Sequence, residues 1–179
     1  MDNSPIVVLS SSSENGERKS SSEPPQVEET AGKAKAKPKT TVMLRNLPNN
    51  YTRSMLLHLL DEQGFGGKYD FLYLPIDFDR KANLGYAFVN LVDEEDVDEF
   101  WSSFDGFGSW SFPSSKVCQV SWSGPKQGLK AHVDRYKNSP VMHKSVPDEY
   151  KPMILSQGIP KRFPAPTIRV QHPKKAGKH

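Results

Sequence analysis

The octapeptide Leu84-Gly85-Tyr86-Ala87-Phe88-Val89-Asn90-Leu91 holds the most informative pattern in the chain. Side chains alternate across a strand, so Tyr86 and Phe88 are expected on one face while Ala87, Val89 and Leu91 turn into a core. Single rings are ordinarily buried. Two in register beside a glycine on an otherwise polar face make a platform on which nucleic-acid bases stack, each worth roughly 1–3 kcal/mol.

The flanking sequence supplies the rest of a domain. Residues 41–46 read as a strand with Val42 and Leu44 inward and Met43 and Arg45 outward, broken by Pro48-Asn49-Asn50. Thr52 is a candidate N-cap for a helix in which Met55, Leu56, Leu59 and Leu60 recur at helical spacing. Residues 69–74 form a second strand, and a polar loop over residues 77–83 leads into the aromatic strand. Asp93 is positioned to cap a second helix whose acidic first turn suits the positive end of the helix dipole. In it Val97, Phe100, Trp101 and Phe104 mark the buried face. A Gly/Ser/aromatic loop precedes a fourth strand over residues 117–122. The order βαββαβ predicts an α+β, ferredoxin-like fold: a four-stranded antiparallel sheet with two helices on one face and the other face open.

Charge divides the chain in the same places. Residues 1–39 hold six basic and six acidic residues, a net charge of 0. Residues 40–123 hold six against twelve, net −6, and residues 124–179 hold twelve against three, net +9. An acidic globular block joined to a basic segment points to a polyanionic partner for the latter. Four parts are therefore expected: a Ser/Glu/Lys-rich disordered tail at 1–39, the domain at 40–123, a helical extension packed on it at 124–155, and a Pro/Lys-rich basic tail at 156–179.

Cys118 is the single cysteine and is expected as a small buried hydrophobe in a strand. No run approaches the ~20 apolar residues of a membrane span, and no secretory signal pattern opens the sequence. An intracellular monomer in the nucleus and/or cytoplasm, with no membrane association, is the expectation. Five histidines (His58, His132, His143, His172 and His179) lie scattered without metal-ligand spacing. Neither a nucleophile set nor a phosphate-cradling glycine loop is present. No enzymatic activity, no metal and no cofactor are expected.

The octapeptide fits the signature K/R-G-F/Y-G/A-F-V-x-F/Y of the RNA-recognition motif through G-Y-A-F-V-N, with Leu84 and Leu91 at its basic and aromatic ends. A hexamer frame falls on the first strand as Val42-Met43-Leu44-Arg45-Asn46-Leu47, where Met43 stands in place of the usual ring. Arg45 offers a cation to a base or phosphate. Phe71 and Tyr73 should share the open face, and Asn90, Gln119 and Ser121 add polar groups to it. A third helix within residues 125–138 presents Leu129, Val133 and Tyr136 as one stripe, beside Lys126, Lys130 and Lys137. Its stripe covers either the open sheet or an edge. The edge is the favoured placement, leaving the three lysines to extend an RNA path.

The blocks TTVMLRNLPNNYT, YDFLYLPIDF, NLGYAFVN, KVCQVSW and QGLKAHVDRYKNSPVM, in this order, resemble the C-terminal RNA-recognition motif of the Mei-two-like (meiosis protein mei-two) family, over roughly residues 40–155. The resemblance implies single-stranded RNA as partner, a role in post-transcriptional, meiotic or developmental regulation, and Met43, Tyr86 and Phe88 as signature positions. Two further features stand apart. Ile6-Val7-Val8-Leu9, followed by Ser10 to Ser13 and Glu14, is either a stray apolar patch or a strand-addition segment resembling a SUMO-interacting motif. The acidic second helix offers an alternative function, a protein-interaction module of the same fold.

Overall fold

The computed structural model describes residues 35–174. Strand β1 (Thr41–Arg45) lies between the aromatic strand β5 (Tyr86–Leu91) and β6 (Gln119–Trp122), antiparallel to both. On the far side of β5 runs β2 (Tyr69–Tyr73). The short hairpin β3 (Ile76–Asp77) and β4 (Ala82–Asn83) projects from the β2–β5 connection as a separate two-stranded sheet.

Helix α1 (Arg53–Leu60) begins at the Thr52 cap, whose Oγ1 accepts from the Met55 amide at 3.1 Å. It runs into a wider turn over Asp61–Phe65, where Gly64 takes φ 93°, a region that favours glycine. The second helix differs in its entry. Asp93 makes no side-chain cap; a 3₁₀ turn, Glu94–Asp96, leads into α2 (Val97–Phe104). Lys68 donates to Asp96 at 2.9 Å and approaches Glu99 at 3.5 Å, so part of the acidic start is paired across the fold.

Alternation along the strands carries Val42, Leu44, Leu72, Ala87, Val89 and Val120 into one core with the two helices. Phe65, Phe100 and Phe104 fill its centre, with Phe65 edge-on to Phe100 at 4.9 Å. Cys118 is 1% exposed in this core, and burial pushes its thiol up to about 12. A bulge between Tyr69 and Phe71 resets the alternation of β2, so Tyr69 and Leu72 face the core while Phe71 and Tyr73 face the opposite side.

The βαββαβ frame is as expected, but the sheet is larger than four strands. After α3 (Leu129–Tyr136) the chain forms β7 (Met153–Ser156) and β8 (Ile159–Lys161), giving the order β6-β1-β5-β2-β7-β8. Gln157 and Gly158 turn the β7–β8 hairpin with φ 51° and 78°, the two positive values that a type I′ two-residue turn requires. The division expected at residue 155 therefore falls inside a strand. Among the described residues no helix is long and apolar enough to cross a membrane.

Candidate nucleic-acid interface

The strand registers set the outward side chains in three rows across the face opposite α1 and α2. Gln119, Arg45 and Tyr86 stand abreast, then Ser121, Met43, Phe88 and Tyr73, then Thr41, Asn90, Phe71 and Ile154. Every outward residue expected from the sequence on these strands lies on this one face. Their accessibility differs sharply from row to row.

The third row is sealed at Thr41, Asn90 and Phe71, while Ile154 at its end is half-buried. Helix α3 crosses the face and places His132 at 5.1 Å from Phe71 and 5.8 Å from Phe88, ring centre to ring centre. Tyr136 meets Tyr73 edge-on at 4.7 Å. Phe71 is 0% exposed, and it shares a second small core with Tyr136, Val141 and Val146. The expectation that α3 packs along a sheet edge is thus corrected. The β2 edge is taken by β7, and the broad apolar surface left for the Leu129/His132/Tyr136 stripe is the aromatic face itself.

Two more expectations change with it. Phe71 is a core residue and has no surface to offer a base. Asn90, 3% exposed, is occupied on both sides of its amide. Its Oδ1 accepts from Thr40 Oγ1 at 2.9 Å and Thr41 Oγ1 at 2.7 Å, and its Nδ2 donates to Asp70 Oδ1 at 2.7 Å. It is a brace between β1, β5 and β2.

Gln127 fastens the start of α3. Its Oε1 accepts from the Thr40 and Thr41 amides at 3.0 and 2.8 Å, and its Nε2 donates to the Thr41 carbonyl at 3.0 Å. The Gly128 amide donates to Thr41 Oγ1 at 2.8 Å. At the other end Arg53 donates to the carbonyls of Asp148 and Lys151 at 2.7 and 2.9 Å. The segment between β6 and β7 is consequently a strap held at both ends.

His132 is 2% exposed, and its Nε2 lies 3.2 Å from the Lys126 carbonyl. A carbonyl only accepts, so Nε2 carries the proton; Nδ1 is buried with no partner among the described residues. Burial holds the imidazole below its ordinary pKa; the hydrogen bond to the Lys126 carbonyl opposes it in part, and the nearby Arg135 and Lys126 charges add smaller pushes in the same direction as burial. It serves as a neutral ring in an aromatic stack. Sequence reasoning passed over it, although its i+3 spacing from Leu129 and i−4 spacing from Tyr136 set it on the same stripe. Gln127 had no comparable signal.

The first row is open. Arg45 and Gln119 are exposed, Tyr86 is half-buried, and with Asn49 and Lys116 they line a polar recess. Lys116 Nζ donates to Asn49 Oδ1 at 2.7 Å and to the Leu47 carbonyl at 3.1 Å, which holds a cation at the rim. Tyr86 and Phe88 meet edge-on, ring centres 5.7 Å apart. Phe88, Met43 and Tyr73 remain half-buried at the border of α3. Ser121 Oγ is buried and without a partner among the described residues, so it presents nothing outward. Of the three lysines, Lys126 and Lys130 are exposed and Lys137 is half-buried, and both Lys130 and Lys137 pair with Asp134 on α3. Residues 6–9 lie outside the described residues.

The family model described as RNA recognition motif 2 matches residues 39–137. Protein MEI2-like 4 of Arabidopsis thaliana is 45% identical over 105 residues, which are 59% of this chain and 11% of that protein. Meiosis protein mei2 of Schizosaccharomyces pombe is 37% identical over 133 residues, 72% of this chain and 17% of that one. The chain thus spans less than a fifth of the length of either relative. Among solved structures, the Rna15 RRM with bound RNA (GU) aligns with a TM-score of 0.44 at 19% identity, covering 55% of this chain and 97% of that one. A βαββαβ frame, the G-Y-A-F-V strand at its centre and a family match over more than half of the sequence agree: the chain belongs to the RNA recognition motif 2 family, of the Mei2-like kind.

Proposed function

We propose that this protein binds single-stranded RNA on the half of the sheet that α3 leaves open, as a binding module and not as an enzyme. The observation that supports this most is the first row, where Tyr86 stands beside exposed Arg45, with exposed Gln119 on the far side of Arg45 and Lys116 at the rim. A base stacks on Tyr86, with the edge of Phe88 and the Met43 thioether continuing the apolar floor. Arg45 and Lys116 take the flanking phosphates, and Gln119 donates to and accepts from a base edge. Cations of the C-terminal segment add affinity with little choice of sequence. By likeness to its relatives, the RNA so held belongs to post-transcriptional or meiotic regulation.

The acidic helix has less to recommend it as a docking face. Lys68 already engages Asp96 and Glu99, and Trp101 packs on Trp122 at 5.1 Å, although Trp122 keeps 37% of its surface exposed. The segment at residues 6–9 is retained as a proposed SUMO-binding strand, tested by titrating SUMO with the chain and with Val7→Asp. For the RNA reading, the test is selection from a random RNA pool with the native chain and with Tyr86→Ala/Phe88→Ala. Enrichment by the native chain and its loss in the folded double variant are expected. Equal enrichment by both would remove the stacking mechanism.

A further inference from the structure

A second aromatic site lies off the sheet, between the β3–β4 hairpin and the strap. We propose that this groove holds a further unpaired nucleotide of the same RNA strand, stacked on Phe78; the proposal rests on the RNA-binding reading of the Tyr86 row. The groove has a cavity volume of about 750 Å³, within the range of small-ligand pockets. Its walls are the hairpin on one side and, on the other, residues 145–150 together with residues 172–174, so it exists only because the chain continues beyond the βαββαβ frame.

Phe78 is 39% exposed at the hairpin tip, although a phenyl ring loses by facing water. It is held there. Asp77 Oδ1 accepts from the amides of Asp79 and Arg80, both at 3.0 Å, which fixes the turn beneath it. Its partner Tyr150 lies nearly parallel, 12° between planes and 5.8 Å between centres. Tyr150 ends the 3₁₀ turn Asp148–Tyr150, which Arg53 clamps through the Asp148 and Lys151 carbonyls. Both rings are therefore pre-positioned, which lowers the ordering cost of binding.

The occupant is indicated by continuity. A shallower depression lined by Tyr86, Phe88, Leu84 and Phe78 joins the sheet face to this groove. Leu84, 51% exposed, lines both this depression and the recess around Arg45. A strand stacked on Tyr86 thus has a continuous route to Phe78, past the apolar Leu84 and the cations Arg135 and Lys174. Lys81 and Lys174 line the groove for the phosphate, and Asp79 and Glu149 supply acceptors for base amino groups.

The test is fluorescence anisotropy of the full chain with a tetramer and a decamer of randomised-sequence RNA. Phe78→Ala is expected to weaken decamer binding by about 5- to 150-fold, the equivalent of one stacked base, and to leave the tetramer unaffected. Phe78→Trp is expected to restore the decamer. Tyr86→Ala should weaken both oligonucleotides. Decamer affinity unchanged by Phe78→Ala while Tyr86→Ala weakens it overturns the groove proposal alone, as does an equal Phe78→Ala loss for both lengths. If Tyr86→Ala changes neither, the RNA-binding reading itself falls, and the groove proposal with it.

Discussion

Phe71 and Tyr86 sit on the same face of one sheet, and the fold assigns them opposite fates when truncated to alanine. Phe71 is 0% exposed beneath His132 and Tyr136. Removing its ring leaves a hole that the strap cannot collapse into, because Gln127 anchors one end and Arg53 the other. Buried Phe→Ala changes cost about 3–5 kcal/mol. At roughly 4 °C per kcal/mol, Tm should fall by about 12–20 °C. Affinity of the remaining folded protein for RNA should stay within about twofold, since no ring surface is lost from the open row. Tyr86→Ala reverses the pattern. A half-buried ring at the rim should cost about 1 kcal/mol of stability, whereas loss of a stacked base should cost roughly 1–3 kcal/mol of binding. Urea unfolding and fluorescence anisotropy on the same two preparations measure both quantities. A Phe71→Ala protein that unfolds normally but has lost RNA would exclude this division of roles, because it would mean that α3 is off the sheet when RNA is bound.

Three other outcomes are expected. The buried neutral His132 has its pKa held below the unfolded value, so the unfolded chain takes up protons first as pH falls. Its contribution is complete above the unfolded pKa of about 6.5 and is lost as pH drops from there through the folded value. Urea midpoints should decline over that interval, and His132→Phe should flatten the decline. Asn90→Ala should destabilise the domain by about 2–3 kcal/mol by stranding Thr41 and Asp70, with RNA affinity retained in the folded fraction; unchanged stability in urea would contradict its role as a brace. Deleting residues 169–179 removes Arg169, Lys174, Lys175 and Lys178. A salt titration should then show a log–log slope shallower by about 0.7 for each lost phosphate contact, equally for different RNA sequences.

Much of the fold was readable in the chain because its signals are local and periodic. Alternation placed Val42, Leu44, Ala87 and Val89 inward and Tyr86, Phe88 and Met43 outward, and the structure agrees at each. Thr52 capped its helix for the same local reason. What escaped depends on long-range competition for surface. Leu129 and Tyr136 of the α3 stripe were visible, with Val133 taken where His132 is the buried residue, but the destination of the stripe turned on whether the β2 edge was free. Residues 153–156, short and interrupted by nothing periodic, gave no sign that they would occupy it. Once they do, Phe71 passes from ligand surface to core. Asn90 is similar: an asparagine on an outward register position looks available until Thr40, Thr41 and Asp70 converge on it. The bulge at Asp70, which allows that convergence, has no marker in the sequence.

The most direct measurement is a residue-resolved NMR titration of the native chain with the RNA enriched from a random pool. Binding on the Tyr86 row predicts progressive shifts of the Arg45, Tyr86 and Gln119 signals, weaker ones at Met43 and Phe88, and quiet Phe71, Asn90 and His132. Early, large shifts at Phe71 and His132 with none at Tyr86 would contradict it, and shifts confined to the α2 surface would move the binding site to the other side of the sheet.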